Sequence, residues 1–586
     1  MASENILVCV AWPYANGDLH VGHVAGAYLP ADIFARYHRL KGNRVVMVSG
    51  SDSHGTPIVV RADKEGKTPL EVFEFYHRRF LETQKNLGVS YDLFTHTNTR
   101  NHIQLGQQMF TRLLENEYLY KARQKQLYSE TQNKFLPDRL VEGVCPICGY
   151  DHARGDQCDN CGNLLDGTQL INPRSRIDGS TPVVRESEHY FFDLPALRAK
   201  LVGYLADKDS YWRSTVLDFS RHYAAHAEPR AFTRDLNWGI PIPLPDSDGK
   251  CIYVWYEALL GYLTATIEWS AIIGQPDEWK KFWYERDVKI YNFIGKDNIL
   301  FHTVLWQAVL LGMEHLGQPW DGAETGAPRT FNLPYDVPAN QYLNLGGQKF
   351  SKSLGVSLDV LDLTAKYGPD PVRFYLTSIM PEAKDSDWNW NDFVQRNNSE
   401  LLAKWGNLAQ RTLSQIWKNF DHRIPQPGDL TDADKTLIAQ SEAAFDSIGN
   451  ALNAVHLRDA LSGAIELATI TNQYLDHEAP WKTIKVDKAR AGTQLYVAAR
   501  VIDSLTVLFS PFIPFTCEAV RKQFGYNTPL FGTQSIEAIG VDDDRHEVLR
   551  YDGASGHGEW KPSALQPGQL LGGEPKGLIA KIELEK

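Results

Sequence analysis

An α/β fold on a parallel sheet, followed by an all-helical region, is what this chain predicts, and three observations carry it. First, residues 5–12, NILVCVAW, are a short apolar run bounded by turn residues, as a buried strand is. Residues 21–40 then place Val21, Val24, Ala25, Tyr28, Ile33, Phe34, Tyr37 and Leu40 on one helix face, and RVVMVSG at 44–50 is a second strand. Strand, turn, helix and strand make a βαβ unit, the start of an open sheet whose ligands sit at the carboxyl ends of its strands. Second, VKIYNFIGKDNILFHTVLWQAVLLG at 288–312 again reads strand, glycine turn, helix, and a sheet-like pattern resumes before it in KCIYVWYEALLGYL at 250–263. Third, from about residue 396 the texture turns to long helices such as ELLAKWGNLAQRTLSQIW, a helical bundle. Residues 118–230 interrupt the α/β pattern and read as an insertion, and the stretch after about 540 is rich in Gly and Pro.

Gross numbers bound the function. A chain of 586 residues holds several domains, and 43% hydrophobic with 23% charged residues is a soluble globular composition. No apolar run reaches the roughly 18 residues that span a bilayer. MASENILVCVAWPY lacks a basic leader and reads as a first strand, so the expectation is a cytoplasmic protein with no membrane partner. A net charge of −12 excludes a broadly basic nucleic-acid binder while leaving room for a local basic track.

Four of the seven cysteines form Cys145-x2-Cys148-x9-Cys158-x2-Cys161, with a glycine after each pair. Each C-x-x-C-G is a knuckle that points two thiolates at one place, and two knuckles make a closed tetrahedral site for one structural Zn²⁺. GGQKFSKSLG, residues 346–355, sets Lys349 and Lys352 between glycines and serines in a loop that could meet phosphate. Neither a Walker A pattern nor a G-x-G-x-x-G is present, so a nucleotide would be held by another device. DLHVGH, residues 18–23, puts His20 and His23 around Gly22 at a helix start, after the turn residues PYANG. Taken alone, it reads as an ordinary helix entry with two incidental histidines.

Together these motifs resemble a family. His20-Val21-Gly22-His23 is similar to the HIGH signature, and Lys349-Phe350-Ser351-Lys352-Ser353 to the KMSKS signature, of class I aminoacyl-tRNA synthetases. AWPYANGDLHVGH, GSDSHGTP at 50–57, YVWYEALLGY at 253–262, FIGKDNILFHTVLW at 293–306 and the cysteine knuckle resemble, in kind and order, the methionyl-tRNA synthetase family from about residue 5 to 550. The resemblance implies a Rossmann-like doubly wound parallel sheet with an inserted zinc-knuckle domain and a C-terminal α-helical bundle. It divides the chain at 1–117 and 231–340 for the two catalytic halves and at 118–230 for the insert. A linking unit follows at 341–395, an anticodon-binding domain at 396–550 and an extension at 551–586.

The same resemblance implies the activity: ATP-dependent ligation of L-methionine to tRNA(Met) through methionyl-adenylate, releasing pyrophosphate and AMP. It marks His20, His23, Lys349 and Lys352 as the catalytic set. ATP, carried with Mg²⁺, would meet His20, Gly22, His23, Gly295, Asp297 and Lys352. Methionine would meet Ala11, Trp12, Tyr14, Asp52, Trp255, Ala258, Leu259, Tyr262 and His302, with Asp52 taking its ammonium. Trp12 and Leu259 depart from the Leu and Pro common in the family. Asn407 and Arg411 of NLAQR and Trp481 of HEAPW would read the anticodon, the Trp and Arg by stacking and the Asn by base edges. INPRSRIDGSTP, where a second knuckle would stand, has no cysteine, so one zinc is expected, and without a further C-terminal domain, a monomer. Three alternatives stand beside this. An Ile, Leu or Val enzyme would carry a larger editing insertion, because one methylene gives only about 10–200-fold discrimination. A non-catalytic paralogue would have lost the histidine or lysine motif, and a simple nucleotidylyltransferase would lack the bundle.

Overall fold

The computed structural model describes residues 3–245, 247–313, 330–349 and 358–583. Strand β1 (Asn5–Val10) lies at the centre of the main sheet, every residue after Asn5 buried. It leads through a loop to a short helix α1 (Val21–His23), a π-wound turn (Val24–Tyr28) and helix α2 (Leu29–Leu40). The π turn has a local cause. Pro30 has no N–H to give to the turn before it, and Leu29 N–H instead reaches back to Val24 O. Strand β2 (Arg44–Ser51), helix α3 (Pro69–Leu87) and strand β3 (Leu93–His96) follow, so the βαβ unit expected at 5–50 is present.

The insertion is an antiparallel ribbon, β4 (Leu119–Ser129) paired with β5 (Val183–Phe192), carrying the cysteine knuckle at its tip. Its small core is separate from the main one and comprises Leu127, Leu136, Leu140, Val141, Cys145, Ala153, Cys158, Leu165 and Leu170. INPRS at 171–175 is a strand that pairs with Val141–Val144. The sheet-like reading of 250–263 is corrected: only Lys250–Ile252 is strand, and the rest opens helix α4 (Val254–Ile272). This helix is apolar nearly all round because the core surrounds it, so its sequence lacks the amphipathic period that marks a surface helix. Strand β6 (Val288–Gly295) pairs in parallel with β1, then a π turn (Phe301–Leu305) precedes the next helix, and β7 (Ala339–Asn340) closes that side.

Helix α5 (Pro369–Ser378) links to the bundle, whose main helices are α6 (Asn407–Asn419), α7 (Asp432–Asn453), α8 (Leu457–Glu478) and α9 (Lys488–Phe509). The first predicted bundle helix is π-wound over Asn397–Gly406 before α6. The boundary expected at 550 is also corrected. Strands β8 (Thr533–Ile539) and β9 (His546–Asp552) leave the bundle and complete the main sheet. Among the described residues its order is β7-β6-β1-β2-β3-β9-β8, parallel up to β3 and antiparallel beyond. The tail beyond crosses back over both parts: Trp560 N–H donates to Leu40 O on α2, and its indole N–H donates to Phe445 O on α7. Among the described residues no helix is long and apolar enough to cross a membrane.

Candidate active site

The strand order reverses between β1 and β6, and the loops at their carboxyl ends form the site. The loop after β1 is tied to the end of β2: Asp52 N–H donates to Pro13 O at 2.8 Å and Ala15 N–H to Asp52 O at 3.0 Å. His20 is the N-cap of α1, in extended backbone (φ −111°, ψ 165°). Its N–H donates to His23 Nδ1 at 3.2 Å, so in the neutral ring the proton of His23 sits on Nε2. The two rings stack 3.7 Å apart at the helix start, with Gly22 between them in the chain. A metal reading of this pair fails: among the described residues the only group of three or more metal-type side chains is the cysteine cluster.

The lysine loop is bounded on both sides by this helix start. Leu343–Leu345 and Gln348–Lys349 form a hairpin turned at Gly346 (φ +58°) and Gly347 (φ +76°), a turn that needs two left-handed residues. The Leu343–Leu345 strand lies against α1. After the loop, Leu358 O accepts from Val21 N–H and Val360 N–H donates to Leu19 O, both at 3.3 Å. Lys352 and the side chain of Lys349 lie outside the described residues. Arg79 of α3 bonds Asp18 and sits 3.7 Å from Asp359, joining the two motifs from below. Neither Arg79 nor Asp359 stood out in the sequence, since salt-bridge partners this far apart leave no local pattern. Gly295 and Asp297 follow β6, and a Cβ on Gly295 would come within 2.9 Å of Asp297 Oδ1. Asn340 is taken up structurally, donating to Ala25 O at 2.9 Å and accepting from Arg213 at 2.7 Å.

Beside these loops is a small cavity, about 20 Å³, walled by Ala11, Trp12, Tyr14, Asp52, Trp255, Ala258, Leu259, Tyr262 and His302, with Asn298 added. As it stands it has enclosed room for about one water. Trp255 stacks on Phe301 at 3.8 Å and meets the Tyr14 ring edge-on. Trp12 fills a slot between β2 and α4: a Cβ on Gly50 would collide with the indole, and one on Gly261 would lie 2.7 Å from it. At the deep end, His302 Nδ1–H donates to Asn298 O at 2.9 Å. His302 Nε2 therefore accepts the Tyr262 hydroxyl, 2.6 Å away. Burial holds His302 neutral, its pKa brought down to about 4. Asp52, 2% exposed, has its pKa pushed well above the carboxylate range by burial and then by the Glu257 carboxylate, while the His54 N–H opposes this. Asn298 went unmarked in the sequence because its contribution, a backbone oxygen, leaves no residue signature.

Far from this cavity, Asn407 and Arg411 lie one turn apart on α6, and the Arg411 guanidinium sits 5.7 Å from the Trp481 ring. Arg411 also bonds Asn472 at 2.9 Å and Asp476 at 3.2 Å. In the insertion, the four cysteine sulfurs lie within 4.8 Å of one another. Cys145 and Cys161 are 4.0 Å apart and Cys148 and Cys158 3.6 Å, around the about 3.8 Å edge of a tetrahedron with 2.3 Å Zn–S bonds. Gly149 (φ +75°) and Gly162 (φ +71°) make the knuckle turns that a side chain would strain. Asn160 and Asn163 amides reach Cys148 and Cys161 at 3.6 and 3.3 Å. Four inward sulfurs with side-chain donors behind them suit zinc.

Residues 6–413 match the family model described as tRNA synthetases class I (M), and residues 424–540 the anticodon binding domain of methionyl tRNA ligase. The chain is 50% identical to the methionine–tRNA ligase of Thermomicrobium roseum over 583 residues, covering 99% of this chain and 97% of that protein. It is 47% identical to the enzyme of Chloroflexus aurantiacus, again covering 99% and 97%. The fold is that of Mycobacterium tuberculosis methionyl-tRNA synthetase bound by methionyl-adenylate, with a TM-score of 0.75 at 23% identity over 99% of this chain and 100% of that one. The chain belongs to the methionine–tRNA ligases of the class I aminoacyl-tRNA synthetase family.

Proposed function

We propose that this protein ligates methionine to tRNA(Met) in two steps. The methionine carboxylate attacks the α-phosphorus of ATP, forming the acyl-phosphate bond of methionyl-adenylate and expelling pyrophosphate. A ribose hydroxyl at the tRNA 3′ end then attacks the acyl carbon and AMP leaves. The observation that carries this is a single juxtaposition: the aromatic cavity with Asp52, the His20–His23 helix start and both ends of the lysine loop meet at one strand reversal. Chemistry at phosphorus is served by positioning and charge, which such groups supply. His23 Nε2–H donates to phosphate oxygens, and Gly22 leaves the backbone accessible to the nucleotide. Lys349 and Lys352 take up charge on the departing pyrophosphate. Mg²⁺ carried with ATP would supply further charge stabilisation there. Asp52 receives the methionine ammonium, and the side chain lies among Trp12, Trp255 and Tyr262, rings that pack well on a polarizable thioether. Arg411 and Trp481 stack on anticodon bases, and Asn407 reads an edge. One Zn²⁺ on Cys145, Cys148, Cys158 and Cys161 is structural, since four thiolates fill its coordination.

The test is ATP–pyrophosphate exchange run with every amino acid. Methionine alone supports it on this reading, and a stronger response to leucine, isoleucine or cysteine overturns it. Lys352→Ala should lower the exchange rate about 10²–10³-fold, the cost of one charged transition-state contact.

A further inference from the structure

Beneath the Asp52 corner lies a buried pair that the two-step chemistry does not use. His54 is 3% exposed and Glu257 fully buried, 203 residues apart in sequence, with His54 Nδ1 3.0 Å from Glu257 Oε2. The backbone N–H of His54 donates to Asp52 Oδ1 at 3.3 Å. The strand end is braced from the other side by the Trp238 indole, which donates to Ser53 O at 2.7 Å and stands edge-on to the His54 ring. His54 Nε2 faces Asn98 Oδ1 at 3.4 Å. A buried acid is expensive unless it is paired and hydrogen-bonded, and His54 is the partner Glu257 has here. Glu257 also belongs to α4, the helix that carries Trp255, Ala258, Leu259 and Tyr262.

We propose that His54 and Glu257 are positioning residues for the methionine ammonium: Glu257 anchors the His54 ring, and His54 aims the Asp52 carboxylate through its N–H. The pair joins the end of β2 to α4, so the ammonium end and the side-chain walls of the cavity keep one spacing. The Glu257 carboxylate also adds to the burial that opposes the charge of Asp52, so Asp52 holds its charge best when an ammonium arrives to balance it. The titratable groups facing this corner are Tyr14 from the β1 loop, His54, and Glu257 from α4. Arg139 and Asp156 of the insertion and Tyr253 at the start of α4 face Tyr14, and His96 and His102 face His54.

This inference rests on Asp52 being the ammonium receptor, and the experiment separates the two. Full-length Asp52→Asn, His54→Gln, Glu257→Gln and the His54→Gln/Glu257→Gln double variant are compared in methionine-dependent exchange from acid to mildly alkaline pH. KM for methionine, KM for ATP and kcat are read for each. His54→Gln should raise KM for methionine about tenfold, with KM for ATP and kcat within about twofold of the parent. Glu257→Gln keeps an acceptor for the ring but removes a like charge. It should move the acid limb of the methionine KM profile to lower pH by about half a unit or more. The double variant should fall short of the product of the singles, because the two act through one contact. An unmoved methionine KM and acid limb in both single variants overturns the proposal. So does a parallel loss in methionine KM, ATP KM and kcat, the mark of a merely structural pair. If Asp52→Asn itself leaves KM for methionine unchanged, the receptor reading fails first. If it raises that KM while the pair variants do nothing, only the present inference fails. Should His54→Gln not fold, the nearly isosteric Glu257→Gln decides through its pH limb alone.

Discussion

Trp12 shows what a single side chain does to the cavity. Its indole occupies a slot left by two glycines, Gly50 and Gly261. Gly261→Ala should therefore lower stability by about 1–3 kcal/mol through overpacking, and Trp12→Leu should relieve it in the double variant. Thermal melts of the two single variants and the pair check this; an additive pair sinks the slot. His302 carries a second expectation. Its folded pKa is depressed to about 4 by burial, below the usual 6.5, so its contribution to stability is present above pH 6.5. That contribution is lost as pH falls through about 4. Unfolding free energy measured against pH should decline over that window, and His302→Gln should flatten part of the decline. The proton balance of Tyr262 with His302 also explains why the aromatic wall has a definite polarity: Asn298 O fixes one ring nitrogen as donor, which fixes the other as acceptor.

At the scale of elements, the knuckle stands apart. Its core does not merge with the main one, so its integrity depends on the four cysteines more than on burial. Cys148→Ser should release about one zinc per chain in elemental analysis while the main melting transition stays in place. A metal-free parent protein would defeat the zinc assignment. The α1–π–α2 run makes a different point. A helix period was visible in residues 21–40, yet the π turn was not, because it follows from the missing N–H of Pro30 and not from the apolar pattern. Helix α4 is the opposite case. Wrapped by core on all sides, it lost the amphipathic signal, and its apolar opening passed for strand.

Across the whole molecule, catalytic sheet and bundle are joined by buried charge. Asp32 and Arg36 of α2 meet Arg373 of α5: Arg373 Nη2 is 2.7 Å from Asp32 Oδ2, and its guanidinium also donates to Phe512 O at 2.8 Å and Pro511 O at 2.8 Å. Burial opposes the charge of Asp32, but Arg36, Arg373 and Ser90 together bring its pKa down to about 2. Arg373→Met leaves Asp32 with one of its two arginines and should cost about 3–5 kcal/mol in denaturant unfolding. A loss under about 1 kcal/mol would show that the network is dispensable. The β8–β9 hairpin is the second joint. His77 of α3 takes the Ser51 hydroxyl, one residue before Asp52, on Nδ1 at 2.8 Å and donates from Nε2 to Glu547 O on β9 at 2.8 Å. His546, also on β9, bonds Glu268 of α4 at 2.8 Å. Strands that follow the bundle in sequence thus brace the elements that hold the cavity.

By itself the sequence determined the α/β class, the inserted knuckle and the helical region, while the residues around the cavity were implied by a family resemblance. The first three are written in local patterns: an apolar run, a C-x-x-C-G pair, a helical period. Tertiary structure alone decided that 533–552 return to the catalytic sheet, that Arg79 spans Asp18 and Asp359, and that His54 meets Glu257. Those contacts join residues tens to hundreds of positions apart. No spacing rule governs them, and they exist because folding buries charged and polar groups that must then find partners.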